Sequence, residues 1–144
     1  MEFRLTSPYY PFMMPKPQFP LRVFFDGQCP LCSREIKHYL TLDEFGRLIP
    51  VDIAASNFQA QSYGLDAHLV QKVMHAQDAT GTIYSRVDAF LAIWQAVRPT
   101  LATRLGLRLL RIRPVRKLAD IAYMAFARNR YRLTGRCTPE TCSK

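Results

Sequence analysis

Apolar positions recur along this chain at more than one spacing, and each change of spacing marks a new element. Val23, Phe24 and Phe25 form a β-branched and aromatic run too short for a helix, which predicts a strand over residues 21–26. Asp26-Gly27 then signals a sharp turn. Across residues 33–45 the period lengthens, with Ile36, Leu40 and Phe45 near helical spacing and Gly46 able to close the helix. Residues 47–53 return to a strand, and Pro50, which has no N–H to donate, places it at a sheet edge. Strand, helix and strand within about 30 residues predict a βαβ unit with parallel strands and a right-handed crossover.

Further on, Ser56 is placed to cap a short helix through Tyr63, closed by Gly64, with another short turn from Asp66. Residues 72–77 and 82–85 flank Asp78-Ala-Thr-Gly81 and predict a β-hairpin. Ser85-x-x-Asp88 resembles a capping box with Asp in place of Glu, opening a helix whose inner face is Val87, Phe90, Leu91, Trp94 and Val97. That helix ends before Pro99, and Trp94 is expected to be a packing anchor. From residue 100 to 112 the chain alternates Leu with Arg. Arg104, Arg108 and Arg111 form one helical stripe; Leu101, Leu105, Leu109 and Ile112 form the opposing apolar side. Pro114 interrupts, and a last helix is expected over residues 115–128 with Leu118, Ile121, Ala122 and Ala125 inward.

This order of elements predicts an α/β fold: a small mixed sheet, made of a parallel βαβ unit and a hairpin, with helices on both faces. Ahead of it, residues 1–20 carry five prolines, which no helical or alternating period survives, so they read as an extended arm. Residues 21–144 read as a single domain whose part from about residue 98 is basic and helical.

At 144 residues, 49% of them hydrophobic and 22% charged, the chain is long enough to bury a core. No apolar run approaches the roughly 20 residues needed to span a bilayer. No secretory signal is visible, so a cytoplasmic setting is the expectation. The net charge of +9 is concentrated at one end: residues 98–144 hold 12 Lys/Arg against 2 Asp/Glu. Such a bias predicts an anionic partner, an acidic protein or a membrane surface. A nucleic acid is not expected, because this stretch lacks the aromatic platforms of single-strand binders, Tyr131 excepted.

The chemistry concentrates at Cys29-Pro-Leu-Cys32, directly after the first turn. Pro30 suits a first helical turn, so both thiols open the helix and, three residues apart, share a face. Free N–H groups and the macrodipole at that end favour a thiolate, and cysteines so placed fall below the ordinary pKa of about 8.5. Cys29 is therefore expected to be the more exposed and more acidic thiol, the attacking group of disulfide exchange, with Cys32 resolving the mixed disulfide. Asp26 either takes a proton from Cys32 or caps the turn. Cys137 and Cys142 allow three readings: a relay dithiol, thiols without a set role, or completion of a four-cysteine zinc site with Cys29 and Cys32. No cofactor is expected apart from zinc on that last reading. His38, His68 and His75 show no ligand spacing, and no phosphate loop, esterase elbow or metalloprotease motif occurs.

Asp26-x-x-Cys29-x-x-Cys32 after an apolar strand resembles the signature of the DCC family of thiol-disulfide oxidoreductases. The likeness continues in Tyr63-Gly-Leu-Asp66, in Tyr84-Ser-Arg-Val-Asp-Ala89 and in Ala127-Arg-Asn-Arg-Tyr-Arg132, and covers about residues 21–142. It implies a thioredoxin-like fold and exchange with a disulfide or dithiol substrate through Cys29 and Cys32, with Asp26 part of the motif. Thioredoxin-like proteins commonly hold a cis-proline before the third strand; here no proline lies between Pro50 and Pro99, which sets this chain apart from that pattern. Two further functions compete: a zinc-stabilised binding module using all four cysteines, and a redox-inactive scaffold for an anionic partner.

Overall fold

The structure, a computed structural model, describes residues 16–133. Strand β1 (Leu21–Phe25) leads into helix α1 (Pro30–Leu42), and β2 (Leu48–Asp52) returns beside β1. A 3₁₀ turn (Ala60–Tyr63) and the one-turn helix α2 (Leu69–Lys72) precede the hairpin of β3 (His75–Gln77) and β4 (Ile83–Ser85). Three helices follow: α3 (Val87–Ala96), α4 (Leu101–Leu109) and α5 (Arg113–Leu133).

The sheet order is β2-β1-β3-β4. β1 pairs parallel with β2, Val23 opposite Pro50, and antiparallel with β3, Val23 opposite Ala76. The expected βαβ unit, the hairpin beside the first strand and the edge position of the Pro50 strand are all present. A peptide between Phe19 and Pro20, in cis, leads into β1.

β1 is the central strand and is covered on both faces, which its unbroken apolar run requires. Leu21 and Val23 pack with Ile36 and Tyr39 of α1 and with Ala89, Ala92, Ile93 and Ala96 of α3. The alanines let α3 approach the sheet closely. Phe24 points the other way, into a smaller cluster with Ala60, Leu65 and Val70, where its ring meets Phe58 and Tyr63 edge-on. Burying a side chain of this size stabilises by about 1.5–3 kcal/mol.

The end of the arm is docked. Gln18 N–H donates to Asp78 Oδ2 at 3.1 Å, Ala79 N–H donates to Gln18 O at 2.9 Å, and Pro17 is buried. Asp78 also accepts from Thr80, Thr82 and the Tyr84 hydroxyl. Burial opposes its charge, but these bonds outweigh it and hold the carboxyl below the ordinary range. Residues 1–15 lie outside the described residues.

Four local expectations need correction. The short helix expected from Ser56 is only the 3₁₀ turn at Ala60–Tyr63, although Gly64 closes it with a positive φ as predicted. Residues 69–72 are helical, so β3 begins at His75 rather than near residue 72. The Ser85 capping box is absent: Arg86, at φ 57°, occupies the cap position, and Asp88 instead pairs with Arg116 of α5. Finally, Leu101, Leu105, Leu109, Ile112, Leu118 and Ile121 are exposed, not inward. The inner face of α4 holds buried Thr103 and half-buried Gly106, and that of α5 holds Tyr123, Ala127 and Arg130. Gly106 lies against Trp94, where an added Cβ would come within 2.6 Å of the indole. The packing anchor therefore demands a small residue, and the leucines face outward. Thr100 and Thr103 form a capping box at the start of α4 that the Leu–Arg alternation obscured.

Candidate active site

The turn between β1 and α1 is held from two sides. Asp26, itself buried, accepts from Gln28 N–H at 3.1 Å through Oδ1 and from Cys29 N–H at 3.0 Å through its carbonyl. Asp52, at the end of β2, accepts from Gly27 N–H and from Ala54 N–H, each at 2.8 Å. That carboxylate lies over Gly27, where a Cβ would come within 2.7 Å of Oδ1 and closer to Oδ2, so a larger residue would have to displace it. Ser33 Oγ–H closes it from the helix by donating to Gly27 O at 3.0 Å.

This turn delivers Cys29 as the N-cap of α1, followed by Pro30 in the first turn. Its Sγ accepts from Cys32 N–H at 3.4 Å, in the position an N-cap oxygen usually takes. The Cys32 thiol also hydrogen-bonds to Cys29. Both thiols are free. Their exposure corrects the sequence expectation: Cys29 is fully buried at 0% and Cys32 retains 8%. Helix-end placement says where the dipole points, not what packs over the sulfur.

Burial first, then the bond to Cys29, push the Cys32 thiol up from 9.0 to about 12. The Arg130 guanidinium acts in the opposite direction, and Cys29 and Glu35 add to the rise. Glu35 lies one turn beyond Cys32 on the same face of α1. Its carboxyl is raised by burial against the pull of the Tyr39 hydroxyl, His38 and Arg130. Tyr39 O–H donates to Glu35 Oε1 at 3.1 Å and accepts from Trp94 Nε1–H at 3.2 Å. Arg130, from the far end of α5, is buried and donates to Gln71 O at 2.5 Å. Tyr123 accepts from Met74 N–H at 2.7 Å; burial raises its hydroxyl, and it feels Arg130, Glu35 and Cys32.

Among the sequence candidates, the structure thus brings Asp26, Cys29 and Cys32 together. Cys137 and Cys142 lie outside the described residues. Among the described residues no group of three or more His, Cys, Asp or Glu is placed to hold a metal. His75 is buried, with Nδ1 2.9 Å from Val73 O, while His38 and His68 are exposed. Sequence reasoning missed Glu35, Asp52 and Arg130. The i, i+3 spacing from Cys32 was a signal for Glu35; nothing in the sequence sets Arg130 apart from Arg128 and Arg132, and Asp52 meets Gly27 only through the fold.

The chain matches the family model for the DCC1-like thiol-disulfide oxidoreductase over residues 23–136. It is also 32% identical over 129 residues to an uncharacterized chloroplastic protein of Arabidopsis thaliana. That alignment takes in 85% of this chain and 56% of the relative, so the chain spans little more than half the plant protein's length. No solved structure matches. The matched stretch runs from the central strand through both thiols of the α1 start to beyond Arg130, and the chain belongs to the DCC1-like thiol-disulfide oxidoreductase family.

Proposed function

We propose that this protein exchanges disulfides through Cys29 and Cys32, with Cys29 attacking and Cys32 resolving, and needs no cofactor. The observation that carries the assignment is a hydrogen bond at the start of α1: Cys32 N–H donates to Cys29 Sγ at 3.4 Å. Burial keeps the proton on Cys32, which suits that thiol to the second, resolving step.

In the reducing direction local opening exposes buried Cys29, and its thiolate attacks one sulfur of the substrate disulfide. The substrate S–S bond breaks, one substrate thiolate leaves and takes a proton, and Cys29 holds the other half as a mixed disulfide. The Cys32 thiol then gives up its proton, its sulfur attacks Cys29 Sγ, and the second substrate thiolate departs. The protein ends with a Cys29–Cys32 disulfide and the substrate has gained two electrons. Oxidation of a substrate dithiol runs through the same steps in reverse.

Cys32, pushed up to about 12, does not ionise unaided near neutrality, so its step needs a base. Glu35 fits that role: its raised carboxyl lies nearer in basicity to the thiol than an ordinary carboxylate, which makes the transfer less uphill. Asp26 holds the turn through its carboxylate on Gln28 N–H and its carbonyl on Cys29 N–H, which suits it to positioning Cys29. The pH–rate profiles of Glu35→Gln and Asp26→Asn tell the two roles apart.

The test of the reading is equilibration of the full chain with reduced and oxidised glutathione, followed by mass. A Cys29–Cys32 disulfide, two hydrogens lighter, is the expected product, and Cys32→Ser should accumulate a glutathione adduct on Cys29. Failure to form either species refutes the assignment.

A further inference from the structure

The outward leucines of the last two helices suit a different role from the dithiol. We propose that α4 and α5 dock this protein on the surface of an anionic lipid bilayer, with exposed aliphatic side chains entering the headgroup boundary and flanking arginines pairing with lipid phosphates. This inference does not rest on the dithiol reading.

Of the fourteen large hydrophobics exposed among the described residues, eight fall between Leu101 and Leu133, so outward apolar surface is concentrated in this quarter of the chain. On α4, Leu101, Leu105 and Leu109 recur at i, i+4, i+8 on the side away from buried Thr103 and from Gly106, which sits against Trp94. Leu101 is 85% exposed. Arg104, Arg108 and Arg111 form the exposed row beside them. The pattern repeats on α5. Tyr123, Ala127 and Arg130 face the fold, Leu118 (67% exposed), Ile121 and Leu133 (71%) face outward, and Lys117, Arg128 and Arg132 lie exposed alongside. Each helix therefore has a buried face, an outward aliphatic face and a basic flank. Residues 98–133 contain one acidic residue, Asp120.

The occupant is identified by its chemistry. An aliphatic stripe flanked by Lys and Arg is how interfacial helices bind anionic membranes: the apolar face sinks about 5–10 Å and the long cationic side chains reach back to the headgroups. A protein interface would enrich the patch in Trp, Tyr and Met, whereas the large outward side chains here are Leu and Ile with a single Phe. A nucleic acid would use the arginines and leave the leucines in water. No helix among the described residues is long and apolar enough to cross a membrane, so the contact is one of lying on the surface.

Flotation of the full chain with vesicles tests this. Phosphatidylcholine vesicles containing phosphatidylserine should carry the protein, and vesicles of phosphatidylcholine alone should carry it at least about tenfold more weakly. Raising salt from about 0.1 M to about 1 M, which shortens screening from about 10 Å to about 3 Å, should release it. Leu101→Gln, Leu105→Gln and Leu118→Gln together should weaken binding at least about tenfold, since those side chains no longer leave water, with an unchanged melting temperature. Arg104→Gln, Arg108→Gln and Arg111→Gln together should reduce the preference for phosphatidylserine, leaving the part that Lys117, Arg128 and Arg132 supply. The proposal fails if phosphatidylserine vesicles do not bind the chain, or if the leucine variant binds as tightly as the parent. It fails equally if that variant melts early, or if soluble polyglutamate binds as well as vesicles, which would make the partner an acidic protein. A dimer that the leucine variant dissociates would assign the face to a second copy and overturn it too.

Discussion

Replacing Gly27 by alanine tests how the dithiol turn is held. The new Cβ occupies the space of the Asp52 carboxylate, so that side chain has to swing away. In leaving, it gives up the bonds from Gly27 N–H and Ala54 N–H, both 2.8 Å long. A hydrogen bond to a charged acceptor contributes about 1.5–3 kcal/mol, and half-exposed Asp52 belongs at the low end, so the loss comes to about 3 kcal/mol. Asp52→Ala removes the same two bonds and should cost a similar amount. The double variant should then also cost about 3 kcal/mol rather than about 6, because the alanine at 27 meets no carboxylate once Asp52 is gone. Urea unfolding reads all four corners of the cycle. With a slope of about 2 kcal/mol per molar, each variant should lose about 1.5 M in midpoint. If Gly27→Ala costs as much in the Asp52→Ala background as in the parent, the glycine is required by something other than the carboxylate, and the account of the turn is wrong.

Both thiols are nearly closed to solvent, so iodoacetamide should modify them in the native protein far more slowly than a free thiol, and low urea should speed the reaction by promoting local opening; full native reactivity of Cys29 would contradict the burial described. Stability should fall as pH rises above about 9. There the unfolded chain releases protons that native Cys32, held up to about 12, and native Tyr84, raised from 10.0 to about 12, still keep. Denaturation followed from pH 8 to about 11 should show the fall, and Cys32→Ser should flatten its first part; a level profile counts against it. Arg130→Met should raise Cys32 further, because the guanidinium is what opposes that rise. A mixed disulfide on Cys29 should then persist longer before Cys32 resolves it, and loss of the bond to Gln71 O should cost about 1–3 kcal/mol. Unchanged resolution kinetics would remove Arg130 from the site.

What was legible in the sequence was local. The short apolar run at residues 23–25, the Asp26-Gly27 turn and the Cys-Pro-Leu-Cys start of α1 need no distant partner to be read, and they define the dithiol's seat. Pro50 likewise announced an edge strand through its own missing donor. The orientation of α4 and α5 was not legible, because periodicity finds a stripe without saying which stripe is covered. The large Trp94 side chain of α3 packs against Gly106, and the buried side of α4 takes Thr103 rather than the leucines. The same holds for Asp88, drawn to Arg116 across 28 positions instead of to its own helix end, and for Asp52, which meets Gly27 only once β1 and β2 are paired. Glu35 was overlooked for a different reason: a glutamate mid-helix reads as a solvated charge until burial shows otherwise.

The two outer strands bear on how this sheet avoids being extended by another chain. Any sheet with an open margin is exposed to capture of another chain by strand addition. Here one margin is β2, five residues long with a proline at its centre, and the other is β4, only three residues long. The first offers one donor fewer than a continuing ladder requires, and the second is too short to template much of a new strand. Neither margin is thus suited to recruiting an extended polypeptide as a fifth strand, and the sheet ends where its own four strands end.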